Sequence, residues 1–151
     1  MTSFADQMRA EAAAIKKANI DTVRAVAIEL FGSVIQATPV GNPELWQSPP
    51  PPGYTGGSAR SNWFLTNAAP SGEVTTATNY QQRQAETLRG IVSLQYTGRL
   101  TLTNNLPYIE RLEDGWSTQA PQGMVKLNVA RVEPMVPQIH AAACRRNGVK
   151  P

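Results

Sequence analysis

Three acids stand close together in the stretch NNLPYIERLEDGWSTQAPQGM, residues 104–124: Glu110, Glu113 and Asp114. Positions three apart on a helix share a face, so Glu110 and Glu113 could in principle form the carboxylate pair that general acid and base work requires. A hydrolase of that kind needs matching groups elsewhere: a further carboxylate, a histidine or a set of metal ligands. The chain holds one histidine, His140, and one cysteine, Cys144, both in a basic C-terminal segment. No catalytic triad can be assembled from that inventory. Nor is there a structural zinc pattern, a GxxxxGK[ST] loop, a GxGxxG after a strand or a nucleophile elbow. His140 reads as a partly exposed helix residue and Cys144 as a small packing residue. A carboxylate hydrolase using Glu113 and Asp114 is therefore the least supported reading, and no cofactor or metal is expected.

The bulk properties narrow the field further. A chain of 151 residues fits one domain, expected to span 1–151. Its 14 Lys+Arg against 11 Asp+Glu give a net charge of +3, too small an excess to mark a nucleic-acid binder by itself. The excess gathers at the C-terminal end, in Arg145, Arg146 and Lys150. Single-strand binders interleave aromatics with bases. Here Trp46, Trp63, Trp116, Tyr54, Tyr80, Tyr96 and Tyr108 mostly neighbour Pro, Gly, Asn or acids. A basic nucleic-acid-associated protein is the alternative that remains. One cysteine cannot form an internal disulfide, which points to cytosolic assembly. MTSFADQMRAEAAAIKK lacks the apolar core of a secretory signal, and no run of roughly 18 uncharged apolar residues suggests a membrane span, so a soluble protein is expected.

Three regions must position whatever the acids do. Residues 3–37 predict one long amphipathic helix, with Phe4, Met8, Ile15, Val23, Val26, Leu30 and Val34 recurring at helical spacing. Ser3 is the expected N-cap with Asp6 three positions on, Thr38-Pro39 supplies the stop, Gly32 could allow a bend, and Asn19-Ile20-Asp21 is a soft spot. The apolar stripe reads as core packing against a sheet, the alternative being mainly a subunit-contact surface. Residues 38–59 form a Pro/Gly-rich loop carrying Trp46 and Tyr54 beside the rigid run Pro49–Pro52. That run is either a spacer laid over the domain's own surface, with Trp46 capping an edge of the core, or a stiff mount for contact with another protein. Residues 60–104 predict a sheet with an intervening helix. The strands are expected at 61–67, 73–79 and 98–104, with a further one at 91–96, and the helix at 79–92. From Pro107 a short helical turn should bury Tyr108 and Leu112 and end at Gly115, and a polar loop should follow to Gly123. The preferred reading of the end is an extended Met124–Val132 and a last helix from about Glu133, the alternative being a longer helix kinked at Pro134. The expected fold is α+β: the long N-terminal helix and the C-terminal helix packed on a small antiparallel sheet.

Two segments in order, TPVGNPELWQSPPPPGYTGGSARSNW and NNLPYIERLEDGWSTQAPQGM, resemble the tail-completion or neck proteins of long-tailed bacteriophages, a head-tail joining group that includes the lambda gpZ-like minor tail proteins. In that family a long helix runs into a TPV motif, then Gly-Gly or Thr-Gly with a following Arg and Trp, and later a PY...LE.G.S.QAP.GM block. The resemblance covers roughly residues 3–146. Shorter relatives read TPV-D-TG where this chain has GNPELWQSPPPPGYTGG, and Trp116 departs from the pattern and takes no family role. The candidate interface and motif positions are Thr38, Pro39, Trp46, Tyr54, Arg60, Trp63, Tyr108, Glu113, Gly115, Gln119, Pro121 and Gly123.

The resemblance implies a structural, non-enzymatic virion protein, assembled in the host cytoplasm and placed in the neck between head and tail. Its implied partners are copies of itself in a ring, six-fold by expectation, and head-completion (stopper), tail-terminator or tail-tube proteins, with incidental proximity to DNA and no membrane. Trp46, Tyr54, Trp63 and Trp116 are then candidate contact hot spots, since desolvated Trp and Tyr dominate contact energies. Arg60 and Glu113, each beside a Gly in one half of the motif, are expected to form an ion pair across the fold.

Overall fold

A computed structural model covering Met1–Pro151 shows an α+β protein organised around a single 34-residue helix, α1 (Phe4–Ala37). A 3-10 turn (Pro43–Leu45), a short α2 (Ser58–Ser61), β1 (Trp63–Thr66) and α3 (Tyr80–Ser93) follow, then β2 (Thr101–Asn104) and α4 (Ile109–Glu113). The chain closes with α5 (Val125–Val132), a 3-10 turn (Glu133–Met135) and α6 (Val136–Arg146). No helix is long and apolar enough to cross a membrane.

The ends of α1 lie where local chemistry puts them. The Asp6 amide donates to the Ser3 hydroxyl oxygen at 3.2 Å, and that hydroxyl donates to the Asp6 carboxylate at 2.7 Å, a capping box in which Asp serves as the third-position acid. At the other end Thr38 turns extended, as a residue before proline must. The helix runs through Asn19–Asp21 and through Gly32 without a break. Gly32 marks a close approach instead: a Cβ there would lie 3.4 Å from Leu88 of α3.

Two antiparallel layers flank α1. Arg24 donates to the Leu94 carbonyl and Gln84 to the Gly32 carbonyl, so α3 runs against α1 along one side. Asn147 donates to Asp21, Thr22 contacts His140, and Arg131 reaches Glu29 and Ser33, so α6 and α5 run against it along another. The stripe expected to pack along the whole helix does so only from Ala18 onward. Every residue from Phe4 to Ala13 is exposed, and those roughly three turns project from the body.

The sheet has two strands rather than three or four, with Trp63 opposite Asn104 and Thr66 opposite Thr101. Residues 73–79 are not a strand because side-chain amides take their peptide groups. Asn62, fully buried, donates to the Ser58 and Thr75 carbonyls at 2.7 and 3.0 Å and accepts from the Thr75 amide at 2.9 Å. Asn105 donates to the Ser71 and Glu73 carbonyls. Residues 91–93 belong to α3, where fully buried Ile91 outweighs the β preference of an Ile-Val pair. Met124–Val132, expected extended, is mostly α5, and Pro134 sits in the 3-10 turn that joins it to α6. A two-stranded ribbon is marginal alone. Here the last turns of α1 cover it: Val34, Ile35, Trp63, Ala120 and Met124 form the deep core, with Leu30, Leu102, Ile109 and Leu112 against them.

Replacing Asn62 by Ala strips donors and an acceptor from a buried junction, and unsatisfied buried groups cost about 1–3 kcal/mol each. Asn62→Ala should therefore lower the urea midpoint by an amount equivalent to about 2–4 kcal/mol with little change in m-value; an unshifted midpoint would show that the 71–75 segment is held by something else.

Candidate functional site

The site begins where α1 stops. The Thr38 hydroxyl donates to the Val34 carbonyl at 2.8 Å and accepts from the Trp63 indole N–H at 2.9 Å, and the Thr38 amide donates to Val34 and Ile35. Arg60, from α2, donates through Nε to the Thr38 carbonyl and through its terminal nitrogen to the Gln36 carbonyl, both at 2.9 Å. A guanidinium at a helix C-terminus satisfies orphan carbonyls and complements the dipole. Its carbon lies 4.9 Å from the centre of the Tyr80 ring, which stacks it in place.

Glu113 does the opposite job at the opposite kind of helix end. Its Oε2 accepts from the Met124 and Val125 amides at 2.8 and 2.9 Å, and its Oε1 accepts from the Lys126 amide at 2.9 Å. Desolvation would raise its pKa, but the three amide N–H groups together outweigh that, so the carboxylate stays below its ordinary value. It is the N-terminal cap of α5, supplied from eleven residues upstream.

Between Glu113 and α5 the chain makes a closed loop. Gly115, at φ +85°, ends α4 in a Schellman motif, with the Gly115 amide donating to Leu112 and the Trp116 amide to Arg111. A Cβ on Gly115 would fall 2.4 Å from the Pro121 carbonyl oxygen, and one on Gly123, at φ +80°, 2.4 Å from that of Glu113. Ala120 and Met124 are buried, and the Gln119 side chain reaches out to clip residue 40: its Nε2 donates to the Val40 carbonyl at 2.8 Å and its Oε1 accepts from the Val40 amide at 3.2 Å. The clip joins the two motif segments through residues 79 apart in sequence.

Above this clip lies a cleft of about 490 Å³ walled by both segments. Pro39, Val40, Trp46 and Tyr54 come from the first, and Tyr108, Leu112, Trp116 and Gln119 from the second. The Trp46 and Tyr54 rings lie 4.8 Å apart, tilted by 55°. The Tyr54 hydroxyl sits over Gly41, where an added Cβ would overlap it and force the Tyr54 side chain to shift. Burial, and then the neighbouring Tyr108, push the Tyr54 phenol above its ordinary pKa. Arg111 lies 5.1 Å from the centre of the Trp116 ring, which is 72% exposed.

The positions singled out in the sequence thus fall into three groups. Pro39, Trp46, Tyr54, Tyr108 and Gln119 line the cleft. Thr38, Arg60 and Trp63 build the corner behind it, and Glu113, Gly115, Pro121 and Gly123 frame its second wall. The expected Arg60–Glu113 ion pair is absent, because each side chain is engaged by backbone groups of a different helix end. Trp63 is 7% exposed and belongs to the core, not to a contact surface. Tyr108 is exposed on the cleft wall rather than inward-facing, and Trp46 lies over Tyr54 on the surface instead of capping the core. Gly41, Leu45 and Asn62 carried no signal beyond their residue types.

The fold and site define an α+β domain with a capped long helix and an aromatic cleft at its C-terminal end. No protein-family model, curated protein or solved structure matches the chain.

Because the Glu113 pKa is lower folded than unfolded, its contribution is complete above the unfolded value of about 4.3 and disappears as the pH falls through the folded value. Glu113→Gln should lower stability near neutrality by about 1 kcal/mol and flatten the acid limb of a stability–pH curve below about pH 5; parallel acid limbs for the two proteins would contradict the cap. Arg60→Ala should cost about 1–3 kcal/mol. In a double-mutant cycle Arg60 and Glu113 should couple by less than about 0.5 kcal/mol, where a direct ion pair would give more.

Proposed function

We propose that this chain is a structural, non-enzymatic subunit of a tailed-phage neck, a tail-completion protein that helps join the DNA-filled head to the tail. The observation that carries the reading is the convergence of its two motif segments: the stretches that resemble the family meet in one aromatic-walled cleft, clipped together by Gln119 on Val40. Leu45, Trp46, Tyr108 and Trp116 are all at least 40% exposed there. An apolar and aromatic patch set on fixed walls is the form of a protein-contact surface, and prolines on one wall limit the entropy lost on docking.

The acids of the same region support the non-enzymatic part of the reading. A general acid at neutral pH needs a raised pKa, whereas the Glu113 carboxylate is held low by three backbone amides. In this reading the chain acts in several copies as a ring, and its outer surfaces meet head-completion, tail-terminator or tail-tube proteins.

Lysates of the parent phage with this gene interrupted should contain full heads and separate tails under negative-stain microscopy, rejoined when the purified protein is added. A normal yield of joined virions without it would overturn the reading.

A further inference from the structure

We propose that the protein carries a second contact surface, a basic end formed by the close of α6 and the middle of α1, which binds the phosphate backbone of duplex DNA. The inference stands apart from the neck reading and from the aromatic cleft. Its first support is where the charge lies. Residues 11–24 and 140–151 hold six cationic side chains, Lys16, Lys17, Arg24, Arg145, Arg146 and Lys150, against two acids, Glu11 and Asp21. The other 125 residues hold eight cations against nine acids. The whole positive charge of the chain therefore stands on these two segments.

The fold joins them. The Asn147 side chain donates to the Asp21 carboxylate at 2.9 Å, Lys17 reaches the same carboxylate at 3.1 Å, and Thr22 meets His140 at 3.1 Å. The Asn147 hydrogen bond, and after it Lys17 and Arg146, hold Asp21 below its ordinary pKa in spite of its desolvation, so Arg146 also lies within the field of this acid. The close of α6 is fixed as well. Gly148, at φ +67°, ends it in a Schellman motif, with the Gly148 amide donating to the Arg145 carbonyl and the Val149 amide to that of Cys144. Asn147 and Val149 are half-buried, so the segment RRNGVKP is a packed helix end rather than a loose tail. Lys16, Arg145, Arg146 and Lys150 are exposed and make no ion pair. A helix C-terminus carries about half a unit of negative charge, which does not account for three cations at the close of α6.

The residues around these cations select the partner. Neither segment contains a Trp, Tyr or Phe, so the nucleobases of a single strand find nothing to stack on. Ile15 is the one large apolar side chain exposed in them, too little to enter a lipid layer or to form the core of a protein interface. Point charge remains, and duplex DNA offers it at high density, one phosphate per about 1.7 Å of axis. Lys and Arg side chains neutralise those phosphates and release counterions without reading sequence.

The test is fluorescence anisotropy of a short labelled duplex of mixed sequence, titrated with the full-length chain. Wild type should bind at low salt with a Kd on the order of 1 µM, and log K should fall with log salt at a slope of about −3 if roughly three phosphates are engaged. Arg145→Gln with Arg146→Gln and Lys150→Gln should weaken binding about tenfold or more and flatten that slope, with the melting temperature little changed. Lys16→Gln with Lys150→Gln replaces it if that chain misfolds. A control of equal net charge, Arg89→Gln with Arg99→Gln and Lys126→Gln, removes exposed cations from other elements and should bind as wild type does. A single strand of the same length and a polyglutamate should both bind more weakly than the duplex. No binding by wild type, an equal loss in the two triple variants, or a single strand or polyglutamate bound as tightly as the duplex would each overturn the inference. None of these outcomes depends on the phage: joined virions made without the gene would overturn the neck reading and leave the DNA result standing.

Discussion

A helix that ends inside a protein must pass its last carbonyl oxygens to donors from elsewhere in the chain. The end of α1 is that problem, and its solution organises the rest of the molecule. Thr38 and Pro39 are both buried there, so water cannot serve. The Thr38 amide and hydroxyl take Val34 and Ile35, and Arg60 takes Gln36 and Thr38. The Trp63 indole then spends its one N–H on the Thr38 hydroxyl. These few bonds bring α2 and the first residue of β1 to a fixed place at the helix end. Pro39 and Val40 leave that point in a set direction, and the floor of the cleft is the result.

The same device recurs because the deep apolar core is small, five residues at its centre. Where burial is limited, directional bonds from side chains to the backbone must supply conformational uniqueness. Asn62 and Asn105 hold the 71–75 segment without a strand, Glu113 starts α5, and Gln119 pins residue 40. Long stretches without regular structure can therefore present side chains in fixed positions. The proposed joint depends on that: its aromatics stand on loops, and the loops are tied to helix ends.

Packing also divides α1 into two parts with different surroundings. From Ala18 onward it is the spine that α3, α5 and α6 flank, while its first turns extend into solvent with a helix cap of their own. A helix this long gains most of its stability from the packed half, and the projecting half remains helical by continuing it. An exposed helical arm and the aromatic cleft stand at opposite ends of one element.

Local signals were enough to place α1, α3, both strands of the sheet and the glycine-ended turn of α4. Each depends on periodicity, caps or turn residues within a few positions, and Ser3, Asp6, Thr38, Pro39 and Gly115 carried that information themselves. The errors fell where a distant polar side chain decides. Residues 73–79 alternate as a strand would, yet Asn62 takes the peptide groups of Thr75. Met124–Val132 has the pattern of an extended segment, yet Glu113, far outside any local window, caps it as a helix. Arg60 and Glu113 were visible as a pair of opposite charges, and only the tertiary structure sent each to a different helix terminus. Thus the chain by itself determined the α+β class and the long helix, and it singled out two segments by their motifs. Their meeting in one cleft was decided by the three-dimensional structure, because backbone groups that secondary structure leaves unpaired must find partners, and those partners lie far away in sequence.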